Sequence, residues 1–175
     1  MDASDVVMIG LGLLTVRLVF GLMMAAHGAQ KLFGWFGGHG LRATAAGFES
    51  IGFRPGSFFG PVAALVEFAS GTLMALGLLE PVGPALMVSV MIVAAAAVHW
   101  KNGIFAPAGI ELNLLFGAAG LGLALTGPGN FSLDRSFGFL PSRPAVACVW
   151  LALAAIGAIL VIFARRPLPT HASGR

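Results

Sequence analysis

Five uninterrupted runs of apolar residues restrict the folding of this 175-residue chain more than any other feature. A helix that crosses the hydrocarbon core of a bilayer needs roughly 20 predominantly apolar residues. Backbone amides in hydrocarbon must be satisfied within a helix or a closed barrel, and these runs lack the alternating polarity of barrel strands. The sequence therefore predicts an all-α integral membrane bundle with candidate spans at 6–32, 58–79, 82–100, 110–126 and 145–164.

The composition supports a membrane protein over a soluble enzyme. Hydrophobic residues make up 58% of the chain and charged residues only 10%, with a mean hydropathy of +0.93. Soluble domains contain about a quarter charged residues. The net charge of +3 is spread over the links between spans and forms no basic patch, so we expect contact with the lipid bilayer and none with nucleic acid.

The basic residues instead predict an orientation. Loops on the cytoplasmic side of a membrane carry an excess of Lys and Arg. An outside N-terminus, followed by five spans, gives a multi-pass protein of the cell's inner (plasma) membrane with a cytoplasmic C-terminus. The basic residues then divide between Lys31, Arg42, Arg54, Lys101, Arg165, Arg166 and Arg175 inside, and Arg135 and Arg143 outside.

The links between the spans differ in length. Only Glu80-Pro81 separates the second run from the third, which predicts a tight hairpin between antiparallel helices. The connections 34–55, 102–109 and 127–144 are longer and contain the Gly and Pro residues typical of loops.

Two ionisable residues lie deep within predicted spans, where an unpaired charge costs several kcal/mol and marks a candidate functional site. Counted at 1.5 Å per residue, Arg17 in the first span and Glu67 in the second have similar depths, which predicts an ion pair near the membrane centre. The plainer alternative is that this pair only fixes the helix register. Both residues belong to stripes of mostly small residues that favour close packing, namely Arg17, Gly21, Met24, Gly28 and Lys31, and Gly60, Ala64, Glu67, Gly71 and Met74.

A second polar layer is predicted at the cytoplasmic end of the bundle. The first span ends around His27 and Lys31, the third ends at His99, and the fourth begins with Glu111. Alternating helix directions bring these ends together. A histidine near a carboxylate suits a proton relay or a hydrogen bond to a quinone oxygen. The alternative is interfacial anchoring, since Lys and aromatic side chains favour the headgroup region.

Other site chemistries receive little support from the sequence. Two histidines near one membrane face are weak evidence for haem ligation, and no close histidine–carboxylate spacing indicates a metal site. The single cysteine, Cys148, excludes an intrachain disulfide or a C-x-x-C redox motif. No cofactor motif is evident, and a quinone remains the one cofactor that the polar layer suggests.

The order and spacing of these polar and glycine-rich segments resemble those of the DoxX family of small bacterial membrane proteins, from about Arg17 to Asp134. DoxX belongs to a wider group that includes subunits of thiosulfate:quinone oxidoreductase. The resemblance is carried by Arg17-Leu-Val-Phe-Gly21, His27-Gly-Ala-Gln-Lys31-Leu-Phe-Gly34, Glu67 with Gly71 and Leu76-Gly77, Glu111, and Gly127-Pro-Gly-Asn-Phe-Ser-Leu-Asp134.

The resemblance implies a four-helix membrane domain over residues 1–140 and an additional transmembrane helix with a basic tail over residues 141–175. It implies a membrane subunit of an oxidoreductase system, linked to quinone and to other membrane or redox subunits. The candidate polar site comprises Arg17, His27, Lys31, Glu67, His99 and Glu111. A non-catalytic scaffold or assembly partner is the alternative, and a small-molecule or proton-linked transporter is third. Catalytic activity of the chain itself and a homo-oligomeric state stay open.

Overall fold

The computed structural model describes residues 2–105, 107–139 and 144–166, and these residues form helices and loops without any strand. Arg143 and Arg175, two of the basic residues that predict the orientation, lie outside the described residues. Within these residues, four helical segments are long and apolar enough to cross a membrane, so the prediction of an all-α membrane bundle is confirmed; they are Ala3–Phe33, Gly56–Leu76, Val82–Asn102 and Pro144–Phe163. The helices are α1 (Ala3–Phe33), α2 (Gly40–Ser50), α3 (Gly56–Leu76), α4 (Val82–Ala94), α5 (Glu111–Thr126), α6 (Leu133–Ser136) and α7 (Pro144–Phe163).

The termini of α1 carry local signals that set its length. The Asp2 carboxylate accepts a hydrogen bond from the backbone N–H of Asp5, and the Asp5 carboxylate accepts one from the N–H of Asp2. This reciprocal capping satisfies two backbone donors at the start of the helix. Gly34 ends α1 in the left-handed conformation, where its N–H donates to Gln30.

Close packing of α1 against α3 depends on glycine. A Cβ added to Gly21 would come within 2.6 Å of the backbone nitrogen of Ala75, and a Cβ on Gly28 would overlap the backbone of Phe68. The two predicted small-residue stripes therefore face each other, and they set an antiparallel register in which Gly28 is opposite Phe68 and Gly21 is opposite Ala75.

The remaining long helices complete the bundle around α4. The link 77–81 turns the chain sharply so that α4 packs against α3, as predicted, and α5 then packs against α4 and touches α1. Helix α5 has 16 residues, so at about 1.5 Å per residue it is shorter than the hydrocarbon core. The core side chains of the bundle are Met24, Met74, Met87, Phe116 and Leu123.

Helix α7 packs mainly on α4 through buried alanines at 147, 154 and 158. At its end, the Arg165 side chain donates to the carbonyl oxygen of Ile51, and the Arg166 N–H donates to Gly52. These bonds attach α7 to the link between α2 and α3. Hereafter, the α2 face is the end of the bundle that carries α2 and the last turns of α1 and α7. The hairpin face is the opposite end, with the link 77–81 and the loop 127–132.

The connection 34–55 contains a helix, although its Gly and Pro residues predicted a loop. Its α2 packs on the first turns of α3, where a Cβ on Gly60 would come within 2.9 Å of Ala45. The glycines that suggested a loop lie at the beginning of the connection, and the helical segment after them has too few apolar residues to resemble a span. Helix α3 consequently extends past the end of α1, which shifts the depth of every residue in α3.

Candidate polar site at the α2 face

Five of the six candidate site residues surround one cavity of about 280 Å³ at the α2 face. Helix α1 contributes two of these side chains, α3 and α5 contribute one each, and the end of α4 contributes the fifth. Apolar side chains from α1, α4 and α5 form the remaining walls. The polar candidates are His27, Lys31, Glu67, His99 and Glu111. Asn113 is a further polar residue of the lining, and Met24, Met91 and Phe116 are prominent among the apolar ones. We call this space the polar cavity.

Lys31 and Glu67 form an ion pair across the α1–α3 interface. The Glu67 side chain is 7% exposed, whereas that of Lys31 is 36% exposed. The ammonium group binds Oε1 of the carboxylate, and Oε2 is buried without a hydrogen-bond partner among the described residues. A charged side chain in a membrane is tolerated when it is paired in this way, so Lys31 offsets the cost of burying the Glu67 carboxylate and leaves Oε2 available to accept.

His99 reaches the polar cavity at the end of an irregular segment of α4. After Ala94 the helix continues as a π-helical turn, Ala95–His99, and a short 3-10 turn, Trp100–Asn102. Such π-helical turns often occur at functional sites. The ring Nδ1 of His99 lies 2.8 Å from the carbonyl oxygen of Ala108. Because a carbonyl only accepts, Nδ1 must carry the proton, which leaves Nε2 of the neutral ring as an acceptor.

Glu111 begins α5 with one carboxylate oxygen enclosed. Its Oε2 is buried and has no hydrogen-bond partner in the part of the chain that the structure describes. The carboxylate lies over Gly109, where an added Cβ would come within 2.6 Å of Oε2. Glycine at this position thus provides the space in which the carboxylate can lie beside the cavity.

A second cavity, of about 310 Å³, lies on the other side of the Lys31–Glu67 pair. Its walls are valine, alanine and phenylalanine side chains from α3 and α4, with contributions from α2 and from Val161 of α7. Apart from the ion pair and His99, the polar residue of its lining is Ser89. Lys31, Glu67 and His99 line both cavities. These three polar side chains therefore lie at the boundary that the apolar cavity shares with the polar cavity.

The prediction of an ion pair between Arg17 and Glu67 is wrong, because these two side chains do not contact each other. The guanidinium instead donates to four backbone carbonyls near the hairpin face, those of Met74 at 3.2 Å, Ala75 at 3.2 Å, Pro128 at 2.5 Å and Phe131 at 3.0 Å. The antiparallel register is the physical reason. Glu67 is opposite the last turn of α1, because the first turns of α3 extend beyond α1 to pack on α2.

Two acidic residues near Arg17 were not among the candidates. The Asp134 carboxylate accepts from the backbone N–H groups of Leu79 and Glu80, both at 2.8 Å, and thereby holds the α3–α4 link. Both carboxylate oxygens of Glu80 are buried without a partner among the residues described. Burial, with a further contribution from Asp134 and against the opposing effect of Arg17, raises the pKa of Glu80 from 4.5 to about 8. The sequence signal that could have identified this site was Glu80 itself. It is an acidic residue in a two-residue link, which is too short to let the carboxylate reach solvent freely.

The chemistry of the polar cavity is hydrogen bonding and proton exchange. Within ranges 2–105, 107–139 and 144–166, no group of three or more His, Cys, Asp or Glu side chains could hold a metal ion. The cavity combines a lysine, two histidines and two carboxylates with thioether and phenyl walls. Such a site can bind a ring with polar substituents and pass protons to or from it.

Comparison with known proteins gives one match. The model of the DoxX family matches residues 12–100, about half of the chain, which extend from α1 to the end of α4. No curated protein and no solved structure matches the chain. The matched range contains Arg17, His27, Lys31, Glu67 and His99, whereas Glu111 and all of α7 follow it.

Proposed function

Since the chain belongs to the DoxX family, we propose that it is the membrane subunit of an oxidoreductase system and that it binds a quinone at the α2 face. A partner subunit supplies the substrate oxidation, because this chain carries one cysteine and no metal-binding motif. A bound quinone would serve as the two-electron carrier. The chain itself provides binding, orientation and proton exchange.

The observation that carries this proposal is the adjacency of the polar cavity and the apolar cavity across the Lys31–Glu67 pair. A membrane quinone has a polar ring and an apolar tail, and ligand sites generally combine mostly apolar walls with a few polar groups that fix orientation. For comparison, an apolar cavity of about 150 Å³ in another protein accommodates benzene. The polar cavity, at about 280 Å³, is of a size for a substituted single ring.

The residues present fit such a ring. Met24, Met91 and Phe116 provide polarisable and aromatic surfaces for its faces. Lys31 and His27 can donate to ring oxygens, and His27 is exposed at the cavity mouth. The carboxylates of Glu67 and Glu111 can exchange protons with a bound ring.

The wider assignment follows from the same proposal. We place the α2 face in the cytoplasm and the N-terminus outside, in the plasma membrane of a bacterium, on the strength of the basic residues at this face. Residues 1–140 form the family's domain, and residues 141–175 add the helix α7. Helix α7 supports the apolar cavity through Val161. The partner is a membrane or redox subunit.

Quinone binding can be tested on the full chain, purified in a mild detergent, with decylubiquinone as the probe. Trp100 directly follows His99, so replacing Trp35 and Trp150 by phenylalanine leaves a single fluorescent reporter beside the site. We expect saturable quenching and a raised thermal midpoint. Free tryptophan in the same micelles corrects for light absorption and for partitioning of the quinone.

Two variants localise the binding. The double variant Lys31→Met/Glu67→Gln should weaken saturable quenching about tenfold or more, since it removes the ammonium that donates to a ring oxygen, and a hydrogen bond from a charged donor contributes about 1.5–3 kcal/mol. Arg135→Gln, at an exposed position on the hairpin face, should leave it unchanged. Quenching that never saturates, together with an unshifted thermal midpoint, would refute a quinone site in this chain.

A scaffold role is the second candidate, and the Arg17 network favours it for the hairpin face. The four backbone carbonyls bound by Arg17 come from α3 and from the loop 127–132, so this side chain holds separate segments together. If the whole protein were a scaffold, Glu67→Gln would lower stability without changing the turnover of the assembled system. Loss of turnover at unchanged stability would favour the quinone role.

A further inference from the structure

The enclosed side-chain atoms of the polar cavity that lack a hydrogen-bond partner among the described residues are acceptors. Glu67 Oε2 and Glu111 Oε2 are both buried and have no partner among the described residues. His99 adds a third acceptor, because its Nδ1 proton is committed to Ala108 and leaves Nε2 with a lone pair. A buried polar atom without a partner is costly, so a ligand that fills these positions should bring donors.

The donors of the cavity are partly committed or lie toward its open side. Lys31 directs one N–H to Glu67, and its side chain is 36% exposed, so its other N–H groups can reach solvent. The Asn113 amide lies 3.7 Å from the sulfur of Met91. His27 is the polar side chain of the cavity for which the described residues offer no hydrogen-bond partner, and it is exposed at the mouth. Among the described residues, the enclosed side-chain atoms of this cavity that lack a partner are therefore all acceptors.

We propose that this cavity selects the reduced, dihydroxy form of its aromatic ligand, with Glu67, Glu111 and His99 accepting hydrogen bonds from the two hydroxyl groups. A quinol has two O–H donors, whereas the oxidised quinone has only acceptors. The quinone oxygens would therefore face the carboxylate oxygens with no hydrogen bond between them. This inference rests on the proposed quinone function and specifies which redox form the site prefers. It involves binding alone, with no bond made or broken.

The test compares three ligands of nearly the same shape. Decylubiquinol, decylubiquinone and the dimethyl ether of decylubiquinol are titrated into the full chain with Trp100 as the reporter, under argon. The reduced ligands are kept reduced chemically, and the quinone arm is run without reductant. We expect the quinol to bind at least about tenfold more tightly than its dimethyl ether, which cannot donate.

Glu111→Gln provides the sharpest variant, because Glu111 forms no ion pair with the residues that the structure describes, so its loss should not disturb the fold. An amide nitrogen donates where the carboxylate could only accept. We therefore expect Glu111→Gln to weaken quinol binding and to strengthen quinone binding, two opposite effects that a merely structural role would not produce. Glu80→Gln, at the hairpin face, is the matched control and should alter neither affinity.

The outcomes separate this inference from the function on which it rests. Equal binding of quinol, quinone and dimethyl ether would overturn the acceptor-rich site and leave a quinone site in place. Absence of saturable binding by all three ligands would overturn both. Tighter binding of benzylammonium than of the quinol would also overturn the inference, since the cavity would then select positive charge instead of paired hydroxyl donors.

Discussion

Lys31 of α1 and Glu67 of α3 form an ion pair that lines the polar cavity on one side and the apolar cavity on the other. The pair is asymmetric, because the carboxylate is almost enclosed while the lysine is more than one-third exposed. Removing the cation thus leaves a buried charge, whereas removing both partners leaves none. This difference makes the pair suitable for a double-mutant cycle.

Lys31→Met should lower the free energy of unfolding by about 1–3 kcal/mol, because Glu67 loses its counter-ion inside the bundle. Combining it with Glu67→Gln should restore most of that loss. Unfolding in mixed micelles with increasing sodium dodecyl sulfate measures both values. Equal losses for the single and double variants would show that the pair contributes nothing specific.

Arg17→Lys should destabilise the protein by about 3 kcal/mol or more, although it keeps the charge. A lysine ammonium cannot reproduce the fork through which Arg17 binds four carbonyls, so some of these buried acceptors lose their partners. Arg135→Lys, at an exposed position, is the control. The unfolding free energy and hydrogen exchange of residues 128–132 measure the effect, and an unchanged exchange rate there would contradict it.

Glu80 should make stability fall as the pH rises. Its pKa is about 8 in the folded protein and ordinarily 4.5, so folding favours the protonated carboxyl. The corresponding stability is fully present below pH 4.5 and is lost as the pH rises through 8, with a slope of at most about 1.4 kcal/mol per pH unit. Glu80→Gln should remove this component and be the more stable protein at pH 8. Parallel stability curves for the two proteins between pH 5 and 8 would refute the assignment.

Gly28→Ala should destabilise the α1–α3 interface by about 1–3 kcal/mol, because its Cβ would overlap the Phe68 backbone. Gly12→Ala in the same helix meets no atom within 4 Å and should change stability by less than about 0.5 kcal/mol. Thermal unfolding in detergent can compare the two. Similar effects at both positions would argue against the close approach at Gly28.

Accessibility labelling tests the orientation. In a Cys148→Ala background, Ser136→Cys at the hairpin face should react with a membrane-impermeant maleimide on intact cells. Arg42→Cys in α2 should react only after the membrane is permeabilised. Both replaced side chains are exposed. The reverse pattern would place the α2 face outside and contradict the positive-inside argument.

The sequence was sufficient to predict that His27, Lys31, His99 and Glu111 lie together, but not the positions of Arg17 and Glu67. Helix direction alone brings His27, His99 and Glu111 to one end of a bundle, so alternation of spans predicts their proximity. The depth of Glu67 relative to Arg17 depends instead on where α3 begins with respect to α1. That offset is created by α2, whose packing on the first turns of α3 leaves no signal in the hydropathy of the spans.

The hairpin face was harder to predict because its contacts join distant segments. Asp134 holds the backbone of Leu79 and Glu80 from more than 50 residues away, at 2.8 Å to each nitrogen. The loop that carries Pro128 and Phe131 folds over Arg17 through main-chain carbonyls, which every residue type possesses. Side-chain identity therefore cannot reveal these partners in advance.

Because of the π-helical turn at Ala95–His99, the direction of the His99 side chain depends on the number of residues in this segment as well as on their types. Each residue of a regular α-helix advances the side-chain direction by about 100°. A π-helical turn holds one residue more than an α-helical turn, so the same residues wound as a regular α-helix would rotate the imidazole by roughly 100°, away from the ligand space. The site thus requires this wide turn in addition to the named polar side chains.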